Sequence, residues 1–175
     1  MKRKITAFLL LFTISLYAQE NIWPQFEYFI GKWEGKETGK AGEGKGERTY
    51  KFLFDGTFIY IENVSKFEPQ ENNTSGEIHK DWGFISFDRV NNQYKLREFH
   101  SEGFINKYFL DNSQTASDTL VFISEEIENV PEGLRARINI IKIDENNFTE
   151  TFELAKPGKE FTEYLKNYWK RVTKK

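Results

Sequence analysis

The sequence predicts an all-β protein, an up-and-down antiparallel barrel of about ten strands with a short N-terminal helical cap. Strand-like runs recur at a spacing of roughly 8 to 14 residues, which is typical of all-β domains. Tight turns rather than long crossovers join most of them, which favours a barrel in which strands pair in sequence order. Aromatic residues make up 17% of the chain. Such residues favour strands, and closing the sheet removes the edges that aromatic strands would otherwise expose.

The first 18 residues have the pattern of a secretory signal peptide. Residues 1–4 are a basic head, residues 5–16 are almost entirely apolar, and Ala18 supplies the small residue expected before a cleavage point. The apolar segment is shorter than the roughly 20 residues that a membrane-spanning helix needs. We therefore expect removal of residues 1–18, no membrane span afterwards, and a single barrel domain over residues 19–175.

Charge and cysteine content narrow the class of protein. The whole chain has a net charge of −2, and removing the basic residues Lys2, Arg3 and Lys4 leaves −5. A mildly acidic chain is poorly suited to nucleic-acid binding. The absence of cysteine excludes disulfides, thiol nucleophiles and thiolate metal sites. An exported chain of this size without disulfides favours a bacterial periplasmic or secreted protein.

The elements follow from turn signals between alternating runs. Residues 23–30 form the predicted cap, because Pro24 suits the first position of a helical turn. Hairpin or turn signals stand at Asp55-Gly56, at residues 91–92, at residues 131–133 and at residues 157–158. The predicted strands are residues 32–38, 47–54, 57–67, 77–87, 93–100, 103–110, 119–127, 134–143, 148–154 and 161–172.

The segment 39–46 contains four glycines, and we expect it to be a mobile loop. Its Gly-x-x-Gly-x-Gly order has a superficial likeness to a phosphate-binding loop. A dinucleotide fingerprint requires a helix after the glycines, whereas an alternating strand follows here. Nucleotide binding is therefore not predicted.

Two motifs near the ends of the barrel region support a known architecture. Residues 29–35 read Phe-Ile-Gly-Lys-Trp-Glu-Gly, and residues 168–171 read Tyr-Trp-Lys-Arg. We expect Trp33 to plug one end of the barrel and Arg171 to stack on it, with Lys170 as the alternative if the strand phase differs by one. Over about residues 26–172 the chain resembles the nitrobindin-type barrels and their secreted relatives, within the calycin group that includes lipocalins. The resemblance implies a ten-stranded barrel with an internal pocket for a hydrophobic or planar ligand, and by analogy it allows a homodimer.

The resemblance does not extend to a haem ligand. Nitrobindin-like proteins hold haem through a histidine in the later part of the barrel, whereas His79 and His100 are the only histidines of this chain. No cofactor is therefore predicted. Tyr164 and Tyr168 would be the remaining candidates for an axial haem ligand.

Candidate ligand-binding residues depend on which face of each strand points inward. A polar cluster at Arg97 and His100 either lines the pocket or lies outside, and Arg137 either clamps an anionic head group or forms ion pairs on the surface. The predicted pocket walls are Tyr60, Trp82 and Phe84. These three residues are equally well suited to fill the core without lining a pocket. No catalytic site is predicted, and no metal site, because His79 and His100 would meet only if the strand register allowed it.

The predicted function is binding without catalysis. We expect an exported barrel that holds a small hydrophobic or amphipathic molecule inside, oriented by one or two inward polar groups. One alternative is an enzyme built on Glu98, His100 and Arg97, which requires both His100 and Arg97 to face inward. The other is a filled barrel that acts as an interaction module at the cell envelope, which requires an interior without a cavity.

Overall fold

The computed structural model of the protein describes residues 21–40, 42–71 and 73–173, and it confirms the predicted all-β barrel. Ten antiparallel strands pair in sequence order, and the first strand pairs with the last to close the sheet. The predicted signal peptide lies outside the described residues. The part of the chain that is described contains no helix long and apolar enough to cross a membrane. The strands are β1 (Gly31–Gly39), β2 (Gly42–Leu53), β3 (Phe58–Phe67), β4 (Glu77–Asp88), β5 (Gln93–His100), β6 (Ile105–Leu110), β7 (Thr119–Glu128), β8 (Arg135–Asp144), β9 (Asn147–Ala155) and β10 (Thr162–Arg171).

The glycine-rich segment 39–46 is where the sequence prediction was wrong. Instead of a loop, it contains the end of β1 and the start of β2. Glycine normally weakens a strand, but it also marks places where another group approaches the backbone closely. A Cβ atom would lie 2.7 Å from Trp169 Cε3 if placed on Gly35, and 2.6 Å from Trp169 Cη2 if placed on Gly46. These inward glycines therefore provide the space that the Trp169 indole occupies.

The N-terminal segment closes one end of the barrel, which we call the cap end. A 3₁₀ turn, η1 (Glu27–Phe29), precedes β1, and the Phe26 and Phe29 side chains are almost completely buried. Aromatic side chains of this size contribute much of the apolar area that a core removes from water. The interior near the cap end is apolar, with the buried residues Trp23, Tyr50, Ile59, Ile61, Ile85, Leu96, Tyr108, Leu110, Leu120, Phe122, Ile140 and Phe148.

Trp33 and Arg171 lie together at the cap end, because the register of β1 and β10 places them opposite each other. The Arg171 guanidinium carbon is 4.2 Å from the centroid of the buried Trp33 ring. The Trp33 indole nitrogen donates to the Phe29 carbonyl at 2.7 Å, and Arg171 donates to the Ile30 carbonyl at 2.9 Å. Its neighbour Lys170 is exposed. The pair thus fixes the N-terminal segment to the first and last strands.

The contact between Gly35 and Trp169 gives a test of the packing. We expect Gly35→Ala to lower the free energy of unfolding by about 1–3 kcal/mol, because the new methyl group overlaps the indole. In a Trp169→Phe background the same substitution should cost less, since the smaller ring leaves room. Chemical denaturation of the four proteins measures this coupling. Glu34→Ala, on the exposed face of the same strand, is the control and should change stability by less than about 0.5 kcal/mol. Equal effects of Gly35→Ala in both backgrounds would contradict the packing described.

Candidate functional site

The half of the interior farther from the cap end is polar and contains a cavity of about 280 Å³. The exposed residues Glu77 and Glu102 lie at its rim, so the cavity reaches solvent. Ionisable residues line it: Glu37, Arg48, Glu77, His79, Asp81, Glu98, His100, Glu102 and Glu150. The remaining lining residues are neutral polar (Asn63, Ser65 and Asn167) or apolar and aromatic (Phe67, Phe104, Ile138, Phe152, Tyr164 and Leu165).

Arg48 of β2 lies at the centre of the polar half. Its guanidinium donates two hydrogen bonds to the Glu150 carboxylate, at 2.6 and 3.0 Å, and a third to Asn63 Oδ1 at 2.9 Å. The guanidinium carbon also lies 4.3 Å from the centroid of the Trp169 ring. Burial alone would lower the pKa of Arg48, but Glu150 beside it holds that pKa well above the ordinary value. Arg48 is therefore a fixed, paired cation.

A chain of hydrogen bonds runs across β1, β3 and β4. Ser65 Oγ donates to Glu37 Oε1 at 2.7 Å, and Asn63 Nδ2 donates to Ser65 Oγ at 3.1 Å and to Asp81 Oδ2 at 2.8 Å. Burial raises the pKa of Glu37. Two buried acceptors of the cavity lining, Glu37 Oε2 and Asn167 Oδ1, have no hydrogen-bond partner within the described residues. Unpaired buried acceptors are costly, so both oxygens favour the arrival of a donor.

The two histidines meet on neighbouring strands. His79 Nε2 lies 3.3 Å from His100 Nδ1, and His79 Nδ1 lies 2.7 Å from Glu102 Oε1. Burial alone would lower the pKa of His79, but hydrogen bonds to Asp81 and Glu102 raise it to about 9. Burial lowers the pKa of His100 to about 4, where its ring stacks on Phe104 at 4.0 Å. Near neutral pH, His79 is therefore charged and His100 neutral.

Glu98 is a carboxyl group that the interior keeps protonated. Burial, together with the nearby charges of Asp81 and Glu150, raises the pKa of Glu98 to about 8. Glu98 Oε2 lies 3.8 Å from His100 Nε2, which is too far for a hydrogen bond. At neutral pH, Glu98 is therefore mostly a neutral donor within the cavity.

The charged and hydrogen-bonding part of the cavity lining, which we call the polar wall, carries an excess of negative charge. Burial alone would raise the pKa values of Asp81 and Glu102, but hydrogen bonds with His79 hold both values below the ordinary range. Arg48 and Glu150 neutralise each other in their bidentate pair. The single charge of His79 therefore faces two carboxylates, and the wall as a whole favours positively charged groups.

The structure brings one predicted ligand-binding residue, His100, into the cavity. On β4 the inward residues carry odd numbers, so Trp82 and Phe84 point outward, and Trp82 is 57% exposed. The same alternation places the side chains of three other candidate residues on the outer face: Tyr60, Arg97 and Arg137.

Each outward residue has partners on the outside of the barrel. Tyr60 packs against Phe84 at 5.3 Å between ring centroids, and Arg97 donates to Ser86 Oγ at 3.1 Å. Arg137 forms an ion pair with Glu153. Because Arg97 faces outward, the interior does not gather the trio of Glu98, His100 and Arg97. The interaction-module alternative required a filled interior, whereas the interior contains a cavity.

Sequence reasoning missed the buried charges of the interior. Arg48, Glu37 and Glu150 each lie on an inward face. The signal that the sequence offered was the alternation of side chains along each strand. Arg48 is two residues from buried Tyr50, and Glu150 is two residues from buried Phe148. In a strand, residues two apart share a face, so those aromatic residues indicated which charges point inward.

The described residues do not suit a haem. The nitrogens of His79 and His100 face Glu102, Asp81, Asn106 and each other at 2.7–3.3 Å, which leaves no room for a flat porphyrin in front of either ring. Of the two tyrosine candidates, Tyr168 lies on the outer face and is exposed, whereas Tyr164 lines the cavity and packs edge to face against Phe152. The wall of hydrogen-bonded carboxylates is also unlike the apolar slot that a flat porphyrin fills.

No protein-family model and no curated protein matches the chain. Among solved structures, the crystal structure of Rv2717c from M. tuberculosis is similar, with a TM-score of 0.60 and 15% identity, over 86% of this chain and 98% of that one. A de novo designed fluorescence-activating β-barrel aligns with a TM-score of 0.40 and 14% identity, over 83% of this chain and 95% of the design. The similarity to Rv2717c supports the barrel fold and does not extend to function.

The raised pKa of Glu98 gives a test by pH. Its ordinary pKa is 4.5 and its pKa in the folded protein is about 8, so its contribution to stability is complete below pH 4.5 and is lost as the pH rises through about 8. Glu98→Gln stays neutral, and its melting temperature should rise relative to that of the unmodified protein between pH 5 and pH 9. The corresponding difference in the free energy of unfolding between the two proteins should reach a few kcal/mol, at about 1.4 kcal/mol for each pKa unit. Glu62→Gln, on the outer face of β3, is the control and should follow the unmodified protein. Parallel curves for Glu98→Gln and the unmodified protein would contradict the account.

Proposed function

We propose that this chain is an exported, non-enzymatic barrel of the nitrobindin-like or lipocalin-like (calycin) type, which binds a small amphipathic molecule in the polar half of its interior. The observation that carries the proposal is the solvent-connected cavity of about 280 Å³, whose lining combines apolar side chains with charged and hydrogen-bonding ones. The signal-peptide pattern of residues 1–18 supports export. The absence of cysteine supports a bacterial periplasmic or secreted location.

The apolar wall would hold the body of the ligand. Phe67, Phe152 and Ile138 contribute carbon surface to the cavity, and burying apolar ligand surface there is favourable by roughly 25 cal/mol per Å². A purely apolar molecule would leave the polar groups of the lining without partners. Binding sites commonly combine an apolar lining with a few polar groups that orient the ligand. The two walls together therefore favour an amphipathic ligand.

The polar wall favours a head group that donates hydrogen bonds and carries positive charge, such as an amine. Glu37 Oε2 and Asn167 Oδ1 are buried acceptors without a partner among the described residues. Arg48 is already engaged by Glu150, and His79 by Asp81 and Glu102. A carboxylate head group would therefore meet paired cations and excess negative charge, whereas an ammonium group would pair with Glu37.

Three probes with the same chain test this proposal: octylamine, octanoate and octanol. Calorimetric titration of the protein should give the tightest binding for octylamine and the weakest for octanoate. Glu37→Gln should weaken octylamine binding by about 10-fold, since a charged hydrogen bond contributes roughly 1.5–3 kcal/mol. The same variant should leave octanol binding nearly unchanged.

Trp82→Ala, on the outer face of β4, is the matched control and should bind all three probes like the unmodified protein. Failure of all three to bind would overturn the ligand-binding proposal. Tighter binding of octanoate than of octylamine would overturn the assignment of a cationic head group while leaving internal binding in place.

A further inference from the structure

Three side chains with metal-binding atoms converge on the β4–β5 side of the cavity. His79, His100 and Glu102 offer ligand atoms that all lie within 4.8 Å of one another. All three residues line the cavity, so an ion held there would be accessible to solvent. His79 and His100 are also the only histidines in the chain. Within the described structure, the two imidazoles therefore meet each other and a carboxylate at one site.

The spacing of the two imidazoles suits a shared ion better than a shared proton. His79 Nε2 and His100 Nδ1 are 3.3 Å apart, which is longer than the usual hydrogen bond between such groups. Two nitrogens that bind one tetrahedral ion at about 2.0–2.1 Å lie about 3.3–3.4 Å apart. The two imidazoles thus already have the separation of two ligands of one ion. Glu102 Oε1 lies on the other ring nitrogen of His79, Nδ1, so the Glu102 side chain has to rotate to become the third ligand.

Polar side chains contact both rings. Asn106 Nδ2 lies 3.1 Å from His100 Nε2, the nitrogen on the far side from His79. Asp81 Oδ2 lies 3.3 Å from His79 Nε2 and is itself held by Asn63. These contacts hold the two rings in position, and Asp81 lies beside the same His79 nitrogen that would bind the ion. Asp81 also supplies negative charge that would offset a divalent cation.

We propose that His79, His100 and Glu102 bind a divalent transition-metal ion of the zinc class, with Asp81 as the neighbouring carboxylate. Two imidazoles and a carboxylate are a ligand set that zinc accepts, and a fourth position would face the cavity. The site does not rest on the proposed amphipathic ligand. The protein can bind Zn²⁺ without binding octylamine, and octylamine without Zn²⁺, so one proposal can fail while the other stands.

The test uses the full chain, purified without a polyhistidine tag after treatment with a chelator. Calorimetric titration with Zn²⁺ should saturate at one ion per chain, and Co²⁺ should give visible absorption bands of a four-coordinate site. In nitrogen-15 NMR spectra, Zn²⁺ should shift the signals of both imidazoles together. This measurement needs no variant, because the chain contains only two histidines.

Variants assign the ligands. His79→Gln and His100→Gln should each weaken Zn²⁺ binding by more than about 100-fold, and Asp81→Asn by about 10- to 100-fold. Glu102→Gln should weaken it at least as much as Asp81→Asn. Glu62→Gln, on the outer face of β3, is the matched control and should bind Zn²⁺ like the unmodified protein.

Circular dichroism establishes that each variant is folded before its titration is interpreted. Zn²⁺ binding that survives in folded His79→Gln and His100→Gln would overturn the proposal. Unchanged imidazole signals in the unmodified protein at saturating Zn²⁺ would overturn it as well, even if the variants did not fold.

Discussion

The buried guanidinium of Arg48 is the group on which the interior of this barrel depends. A cation away from water is stable only when paired and fully hydrogen-bonded, and Arg48 meets this condition through Glu150, Asn63 and the face of Trp169. It lies where the apolar half of the interior ends and the cavity begins. Removing Glu150 would leave an uncompensated buried charge, a change that typically costs about 3–5 kcal/mol. The two halves of the interior therefore meet at one ion pair.

The polar network beyond Arg48 follows from this pair. Asn63 accepts from Arg48, which turns its amide nitrogen toward Ser65 and Asp81. Ser65 in turn donates to Glu37. A network of this kind holds its members in fixed orientations, and its remaining unpaired acceptors define where a ligand donor would bind. A ligand of this cavity would therefore meet groups that are already positioned rather than groups that must move.

The sequence was sufficient to predict the strands but not the face that each strand turns inward. Alternation and turn signals predicted all ten strands, and they failed only at the glycine-rich segment 39–46, where the close approach of Trp169 outweighs the low strand propensity of glycine. The inward face of each strand was harder to predict, because Trp82 looks like a core residue yet is exposed, while Arg48 looks like a surface residue yet points into the barrel with its side chain 11% exposed. Hydrophobicity alone assigns both incorrectly. The contact between His79 and His100 also depends on pairing between strands, which a single sequence does not specify.

The most direct measurement is native mass spectrometry of the protein purified from the periplasm or growth medium of its own host, compared with its denatured mass. An internal ligand should appear as added mass that is lost on denaturation, and fragmentation of the released molecule should identify an amphipathic compound with an amine-type head group. That result would connect the cavity with its natural occupant. If the spectrum shows only the mass of the unliganded chain, and the protein takes up none of the octyl probes, these results would contradict internal ligand binding as the function of this barrel.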